Sequence, residues 1–294
     1  MRARDAQRVA QRTATLYDDA AAHATAQIVE DYSTSFSRAC RLLAEPVRTH
    51  VRNIYGLVRV ADEIVDDEAL GLTPAERAVQ LDDLEAQTTH AMATGFSTNL
   101  VVHAFARTAF ECGIDASLVS PFFASMRTDL ERSEHDTASL ETYVHGSAEV
   151  VGLMCLRAFL ADGPQASARY DELSPGAQRL GAAFQKVNFL RDLAADHDTL
   201  GRTYFPGVVP ERLTDAQRDV LLDDIDADLA AAAVSIARLP ASSRRAVRCA
   251  HDLFAALSRR LRATPADEIG THRVRVSGAA KARIVLRAML SVDR

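Results

Sequence analysis

The sequence contains little of what interrupts a helix. Only 13 of its 294 residues are glycine and 9 are proline, and both types are scattered along the chain. Alternation of polar and apolar residues at the period of a strand is rare, and no Asn-Gly hairpin turn occurs. Alanine, leucine, arginine, aspartate and valine dominate instead, a composition that favours helices. We therefore expect an all-α protein.

Cysteines are few, and none is spaced as a metal ligand. Cys40, Cys112, Cys155 and Cys249 lie far apart in the sequence, each within an apolar helical segment. Isolated cysteines in such surroundings are typically small core residues. We interpret all four as buried thiols in a protein from a reducing compartment.

Basic tracts and long apolar runs are also absent. The net charge is -6 and is spread along the chain, so nucleic acid is not an expected partner. No apolar run approaches the ~18 residues of a transmembrane helix, and the first twenty residues lack the apolar segment of a secretory leader. We expect a cytoplasmic protein, and we leave open a peripheral contact with the inner face of the membrane.

Apolar residues recur with a period near 3.6 along almost the whole chain, as amphipathic helices require. Turn residues predict breaks at Thr73-Pro74, Gly95, Gly113, Ser174-Pro175 and Leu239-Pro240. The gaps are short, so we expect residues 1–294 to form a single all-helical domain with antiparallel neighbours. The predicted helices span residues 5–28, 33–44, 46–68, 74–93, 98–112, 116–132, 139–161, 175–198, 214–237, 240–263 and 278–291.

The segment GLVRVADEIVDDE, residues 56–68, places carboxylates on an otherwise apolar helix. Residues three or four apart share a helix face, so Tyr55, Arg59, Asp62 and Asp66 form one polar stripe. A solvated acidic surface would give the same pattern. The helix dipole disfavours acidic side chains in a last turn by only about a few tenths of a kcal/mol each, too little to decide between the two interpretations.

A second stripe of the same kind lies in FQKVNFLRDLAADHDTLGRTYFP, residues 184–206. Its members follow one another at helical spacing, and the other faces of the helix are apolar. Arg191 lies beside the stripe, and Gly201-Arg202 supplies a flexible turn and a cation. The stripe consists of Gln185, Asn188, Asp192 and Asp196.

Two acidic stripes with adjacent arginines predict a specific chemistry. Carboxylates around one apolar cavity repel each other and are driven towards protonation. Magnesium removes this conflict, because it prefers oxygen ligands and is usually held by one or two carboxylates together with substrate phosphates. The predicted ligand is a diphosphate, bridged by Mg²⁺ to the first stripe on one wall and to the second stripe on the other. The arginines would neutralise the remaining phosphate charge.

Together these motifs resemble the squalene/phytoene synthase family, the head-to-head prenyltransferases. The resemblance covers nearly the whole chain, and NxLRDxxxD followed by GRxYxP is its most specific part. Within the family, the chain is most similar to the bacterial enzymes that form phytoene. The segments that carry the resemblance are YSTSFSRACRLL (32–43), VRNIYGLVRVADEIVDD (51–67), YVHGSAEVVG (143–152), NFLRDLAADHDTLGRTYFP (188–206) and HRVRVS (272–277).

The resemblance implies the isoprenoid synthase fold, with helices around a central cavity, and a set of site residues. It implies Mg²⁺, or Mn²⁺ in its place, and it does not imply NADPH, because phytoene formation needs no reductant. The implied metal ligands are Asp62, Asp66, Asn188, Asp192 and Asp196. The implied catalytic residues are Tyr55, Tyr143, Asp62 and Asp192. The implied substrate-binding residues are Ser33, Ser35, Phe36, Arg59, Gln185, Asn188, Arg191, Arg202 and Arg273.

Some of these residues also have ordinary structural interpretations. Ser33, Ser35 and Phe36 would equally suit a helix start followed by a core aromatic, and Tyr55 and Tyr143 would suit core tyrosines.

Three positions depart from the family pattern. Tyr32 stands where many members have His or a small polar residue, Glu149 interrupts a stretch that is usually small and neutral, and Phe254 replaces a frequent Tyr. These departures bear on chain length and product, because none of them changes the two DxxxD pairs.

The implied activity is the head-to-head condensation of two geranylgeranyl diphosphates to phytoene, through prephytoene diphosphate, with release of two diphosphates. Within the family, the alternatives are a farnesyl diphosphate enzyme that forms squalene, dehydrosqualene or presqualene diphosphate, and an enzyme that cyclises one prenyl diphosphate. From other classes, a non-catalytic helical scaffold and a metal-dependent diphosphate hydrolase are the alternatives. Four carboxylates facing a cavity argue against the scaffold, and an apolar cavity that excludes water argues against the hydrolase. The expected partners are prenyl diphosphates, with geranylgeranyl diphosphate favoured.

Overall fold

A computed structural model describes residues 15–67, 69, 71–161, 163 and 165–290, without the side chains of residues 34 and 35. Within these ranges the regular elements are helices, accompanied by an isolated β-bridge between Glu134 and Thr203. The prediction of an all-α protein is confirmed. In chain order the elements are α1 (Leu16–Tyr32), α2 (Thr34–Cys40), α3 (Val47–Asp66), α4 (Pro74–Thr94), α5 (Leu100–Cys112), α6 (Ala116–Glu131), α7 (Thr137–Val144), a π-helical turn (His145–Glu149), α8 (Val150–Leu160), α9 (Ala166–Leu200), a 3₁₀ turn (Pro210–Arg212), α10 (Asp215–Ile236), α11 (Ala241–Arg262), α12 (Ala266–Ile269) and α13 (Gly278–Leu290).

Several helix ends lie where turn residues predict them. The Thr73 side chain caps α4, Glu76 accepts the backbone N–H of Thr73 in return, and Pro74 occupies the first turn. Gly95 and Gly113 end α4 and α5 with φ angles of 80° and 71°, a conformation that glycine adopts without steric cost.

The predicted break at Ser174-Pro175 is wrong, because α9 continues through Pro175. Proline has no N–H to donate to the carbonyl of Asp171, four residues earlier, and this normally breaks a helix. Here Asp171 and Pro175 are both exposed, so water can satisfy the freed carbonyl on the outer side of the helix.

Other helix bounds also differ from prediction. The helix predicted over residues 5–28 is observed as α1, which extends to Tyr32, and its predicted start lies outside the described residues. The short elements Pro210–Arg212 and Ala266–Ile269 are not predicted, because so few residues carry no periodic pattern.

A π-helical turn at His145–Glu149 divides the long predicted helix into α7 and α8. Beside this turn the backbones of α8 and α9 approach closely. A Cβ atom on Gly152 would lie 2.6 Å from the carbonyl oxygen of Ala177, and one on Gly181 would lie 2.5 Å from that of Ala148. There is no room for a side chain at either glycine. The backbone of α9 therefore lies directly against α8 and the π-helical turn.

The apolar faces of α3 and α9 form part of the core, which leaves their polar stripes facing elsewhere. The side chains that these faces bury are Ile54, Leu57, Ala61 and Val65 on α3, and Val187, Leu190, Leu193 and Ala194 on α9.

Three of the four cysteines are buried, as expected. Cys40, Cys112 and Cys249 are buried and Cys155 is half-buried. No helix among the described residues combines the length and apolar character needed to cross a membrane.

Candidate active site

The polar stripe on α3 is organised around Arg59. This residue forms an ion pair with Glu63 and lies 4.0 Å from the Asp62 carboxylate. The ring of Tyr32 covers the guanidinium, with 4.4 Å between Cζ and the ring centroid. Tyr32, which departs from the family pattern, therefore contributes a cation–π contact that holds Arg59 at the stripe.

Arg77 stabilises the end of α3 directly after the acidic residues. Its guanidinium donates to the backbone carbonyls of Ile64 at 3.1 Å and Asp67 at 2.8 Å. The last carbonyls of a helix have no partner within the helix, and a cation there offsets the unfavourable interaction of nearby carboxylates with the helix dipole. This contact makes an acidic last turn compatible with a stable helix end.

Arg202 joins the end of α9 to the first stripe. Gly201 ends α9 with a φ of 64°, and the chain then turns back. The buried Arg202 guanidinium donates to Asp66 Oδ1 at 2.6 Å and to the Val65 carbonyl at 3.0 Å. The turn and cation predicted beside the second stripe therefore contact the first.

The second stripe gathers two arginines at Asp192. The Nε atom of Arg191 donates to Asp192 Oδ1 at 2.9 Å. Arg273, from the segment before α13, places its Nε atom 2.7 Å from the same oxygen. The structure thus brings the late arginine to the second stripe.

Asn188 presents an unsatisfied acceptor one turn before Asp192. Its Oδ1 atom is buried and has no hydrogen-bond partner. Buried polar atoms are nearly always partnered, so an orphan of this kind indicates a missing cation or donor. Gln185, half-buried, lies at the start of the same stripe.

Burial and neighbouring negative charge raise the pKa values of two carboxyl groups in the stripes. Burial raises the pKa of Asp62 to about 8, and Asp66 adds to the shift, although a third of the Asp62 side chain still contacts solvent. Burial also raises the pKa of Asp196 to about 7, and repulsion from Asp192 and Asp66 contributes. The two stripes meet at Arg202, whose guanidinium donates to Asp66 on α3 at 2.6 Å and whose backbone N–H donates to the Asp196 carbonyl on α9 at 3.0 Å.

The residues of the two stripes fit a divalent cation shared with a ligand. Among the described residues, no three His, Cys, Asp or Glu side chains converge to form a metal site by themselves. Magnesium does not require such a set, because it is usually held by one or two carboxylates with waters and phosphate oxygens. The orphaned Asn188 oxygen and the carboxylates of the two stripes supply the oxygen ligands that such a cation uses.

An aromatic pair lies at the Tyr55 end of the first stripe. The rings of Phe36 and Tyr55 are stacked, with centroids 4.7 Å apart. The Ser33 hydroxyl accepts the N–H of Phe36 at 3.2 Å and so caps α2. Ser33 therefore has the structural role of a helix start, and its role towards substrate stays a prediction. The side chain of Ser35 lies outside the described part of the chain.

Tyr143 belongs to a different aromatic group. Its buried hydroxyl donates to Asp129 Oδ2 at 2.8 Å, and the Tyr204 hydroxyl donates to Asp129 Oδ1 at 3.3 Å. Tyr204 stacks on Phe189 at 4.0 Å and on Tyr143 at 5.4 Å. The two predicted catalytic tyrosines, Tyr55 and Tyr143, are thus held by separate sets of contacts.

Sequence reasoning missed Asp129 and the hydrogen-bonding role of Tyr204. Asp129 follows Phe122 and Met126 at helical spacing, so it lies on the buried face of α6. A carboxylate at such a position is rarely buried without a partner. That pattern would have identified Asp129 before the structure did.

The other two departures from the family pattern have local partners. Glu149 lies 2.9 Å from His145 Nδ1 and accepts a hydrogen bond from Gln178 at 3.4 Å. Phe254 stacks face to face on Phe184, with centroids 3.8 Å apart. Both side chains are therefore ordered by the fold.

Known proteins are similar to this chain in sequence. The model of the squalene/phytoene synthase family matches residues 29–280. The phytoene synthase of Mycobacterium tuberculosis is 27% identical over 91% of this chain and 90% of its own length. The 4,4'-diapophytoene synthase of Staphylococcus haemolyticus is 32% identical over 61% of this chain and 60% of its own. The chain spans about half, 48%, of the bifunctional lycopene cyclase/phytoene synthase of Blakeslea trispora, at 27% identity over 90% of this chain.

Solved structures share the same architecture. A dehydrosqualene synthase aligns with a TM-score of 0.78 at 20% identity, covering 92% of this chain and 96% of its own. A squalene synthase from Alicyclobacillus acidocaldarius aligns with a TM-score of 0.67 at 18% identity, covering 86% and 98%. At these identities the structures establish the fold, which is the predicted isoprenoid synthase fold. The family model covers most of the chain and both acidic stripes, and the chain therefore belongs to the squalene/phytoene synthase family.

Proposed function

We propose that the chain is a phytoene synthase, which condenses two geranylgeranyl diphosphates head to head, through prephytoene diphosphate, and releases two diphosphates. The observation that carries this proposal is the link between the two acidic stripes at Arg202, whose guanidinium donates to Asp66 on α3 at 2.6 Å and whose backbone N–H donates to the Asp196 carbonyl on α9 at 3.0 Å. Phytoene synthases from several organisms among the relatives support the choice of product.

Magnesium would be held by the carboxylates of both stripes and the Asn188 oxygen, and it would supply Lewis-acid stabilisation of the departing diphosphate. The arginines now paired with these carboxylates would turn to the phosphates. Arg59 and Arg202 lie at the first stripe, and Arg191 and Arg273 lie at Asp192. A guanidinium binds phosphate with the same paired hydrogen bonds that it makes to a carboxylate, so the exchange needs little movement.

The aromatic side chains would act on the prenyl part of the reaction. Loss of diphosphate from an allylic carbon leaves a cation, which the double bond of the second substrate attacks. The stacked rings of Phe36 and Tyr55 lie beside the first stripe, where an aromatic face can stabilise that cation. The neighbouring apolar core supplies surroundings that exclude water and so suppress capture of the cation.

The product would be a forty-carbon hydrocarbon with no affinity for water. We therefore propose that the enzyme works in the cytoplasm and delivers its product at a membrane surface.

A product assay tests the proposal. Purified protein with Mg²⁺ would be incubated with geranylgeranyl diphosphate or with farnesyl diphosphate, with and without NADPH, and extracts would be analysed by mass spectrometry. We expect phytoene from the longer substrate without NADPH. A thirty-carbon product from farnesyl diphosphate alone, or a cyclised product of one substrate, would overturn the substrate assignment within the same family.

A further inference from the structure

Asp129 is a buried carboxylate that belongs to neither acidic stripe. It lies near the end of α6, and only 4% of its side chain is exposed. Both of its oxygens accept hydrogen bonds from phenols, Oδ2 from Tyr143 at 2.8 Å and Oδ1 from Tyr204 at 3.3 Å. Because Tyr204 is itself packed against Phe189 on α9, these bonds fix the carboxylate in position and orientation.

The same carboxylate lies next to Arg202. The Oδ1 atom of Asp129 is 3.7 Å from Arg202 Nη1, and that nitrogen also donates to Asp66 at 2.6 Å. The two carboxylates differ in environment, because 41% of the Asp66 side chain is exposed. Asp66 is thus free to change partner when a ligand arrives, whereas Asp129 is enclosed by its tyrosines.

Arg202 has open space beside it. Together with Asp129 and Val65, it lines a cavity of about 630 Å³ between the ends of α3, α6 and α9 and the start of α4. The Val65 carbonyl holds one nitrogen of the guanidinium, Nη2, at 3.0 Å, whereas Nη1, which faces Asp66, could turn away from the stripe once Asp66 changes partner. Asp129 is a buried carboxylate 3.7 Å from Nη1, and its charge opposes that movement.

We propose that Asp129 is a positioning residue that holds the Arg202 guanidinium in place for a diphosphate. Asp129 itself touches neither substrate nor metal. When Asp66 turns to a metal–diphosphate complex, the charge of Asp129 remains beside Arg202 and keeps it directed at the stripe. The inference rests on the proposed function only in that the ligand carries a diphosphate.

The test is a direct binding measurement, in which inorganic diphosphate with Mg²⁺ is titrated into the purified protein by calorimetry. We expect Asp129→Asn, which keeps the shape and removes the charge, to weaken binding by about tenfold or more, because one partner of a buried ion pair is lost. Asp129→Glu, which keeps the charge, should restore part of the affinity. Circular dichroism would check the fold of each variant.

The direction in which Asp129→Asn changes the diphosphate affinity distinguishes a positioning role from simple repulsion between Asp129 and the anion. Removing a negative charge near an anion site strengthens anion binding if charge alone matters. Binding by Asp129→Asn that equals or exceeds that of the unmodified protein would therefore overturn the proposal, as would a protein that binds no diphosphate. Asp223→Asn is the matched control, because it removes an exposed carboxylate that lies 2.8 Å from Arg262, and we expect its affinity to stay within about twofold.

A double variant tests whether Asp129 acts through Arg202, and where Asp129→Asn does not fold, Asp129→Glu takes its place in the same comparison. In an Arg202→Ala background, adding Asp129→Asn should leave the diphosphate affinity unchanged if Asp129 acts through Arg202, and a further loss would contradict the proposal. In turnover assays, the KM for the prenyl diphosphate should rise more than kcat falls. Normal diphosphate binding without phytoene would overturn the proposed function alone, and phytoene formation with an unaffected Asp129→Asn variant would overturn this inference alone.

Discussion

Arg202 donates a 2.6 Å hydrogen bond to Asp66 from 136 positions further along the chain. The bond ties the end of α9 to the last turn of α3, so the two acidic helices are fixed relative to each other before any ligand binds. Less conformational entropy is therefore lost on ligand binding, although the site is built from helices that are remote in sequence.

Single carboxylate-to-amide changes in the stripes should remove activity without unfolding the protein. We expect Asp62→Asn and Asp192→Asn to lower kcat by about 100-fold or more, since each variant lacks a negatively charged oxygen ligand for the metal–diphosphate complex. Asp67→Asn, directly after α3, is the matched control and should retain most activity, because the Asp67 carboxylate accepts the backbone N–H of Ala69 at 2.8 Å instead of joining the stripe. Normal turnover by either stripe variant, with an unchanged circular dichroism spectrum, would show that the metal assignment is wrong.

Thermal stability of the metal-free protein should fall as pH rises. The pKa values of Asp62 and Asp196 are about 8 and about 7 in the folded protein, against about 3.9 for an unfolded aspartate. The folded state therefore binds more protons between roughly pH 4 and pH 8, and the associated stability is lost as pH rises through that window. Tm measured in EDTA at pH 6 and pH 8.5 should show this fall.

Magnesium should reverse that trend, because it binds the deprotonated carboxylates. Its stabilising effect on Tm should be larger at pH 8.5 than at pH 6. Asp62→Asn and Asp196→Asn should each flatten the pH dependence of the metal-free protein, which separates these groups from the background of other charges. An equal slope in both variants and the unmodified protein would contradict the pKa assignment.

Sequence spacing is sufficient to identify the two acidic stripes. It does not identify the residues from other helices and loops that contact them. Asp62 and Asp66, like Asp192 and Asp196, are four apart, so helical periodicity alone places each pair on one face. Contacts such as Arg273 with Asp192 depend on how the helices pack, and no local pattern encodes them. The family resemblance supplies Arg273 where periodicity cannot.

Pro175 and Asp129 show why the remaining features escape sequence-based prediction. Proline predicts a break because of its lost hydrogen bond, but solvent at the exposed Asp171 carbonyl removes that cost. Helical spacing places Asp129 on the buried face of α6, but it does not show that Tyr143, Tyr204 and Arg202 are its partners. In both cases the deciding factor is the environment that tertiary packing creates.

Removing the Tyr143 hydroxyl should destabilise the protein. Tyr143→Phe leaves Asp129 without its 2.8 Å donor, and a hydrogen bond to a charged group contributes about 1.5–3 kcal/mol. Tyr204→Phe, which loses a 3.3 Å bond to the same carboxylate, should cost less. Urea unfolding of the two variants measures the difference, and a larger loss for Tyr204→Phe would show that the Tyr143 bond is not the main support of Asp129.

The close approach of α8 and α9 should be sensitive to a single methyl group. In Gly152→Ala the new Cβ would lie 2.6 Å from the Ala177 carbonyl oxygen, which belongs to the backbone and cannot move aside alone. We expect a loss of about 1–3 kcal/mol in the free energy of unfolding, despite the better helix propensity of alanine. Because α9 carries the second stripe, its displacement should also lower kcat.

Gly278→Ala provides the control for this change. Gly278 begins α13, and a Cβ atom added to it would meet no heavy atom of the described residues within 4 Å, so alanine should be neutral or slightly stabilising there. Urea unfolding and turnover of the two variants would be measured side by side. If Gly152→Ala behaved like Gly278→Ala, the helices would have room to separate, and the tight seating of α9 could not be what positions Asp192 and Asp196.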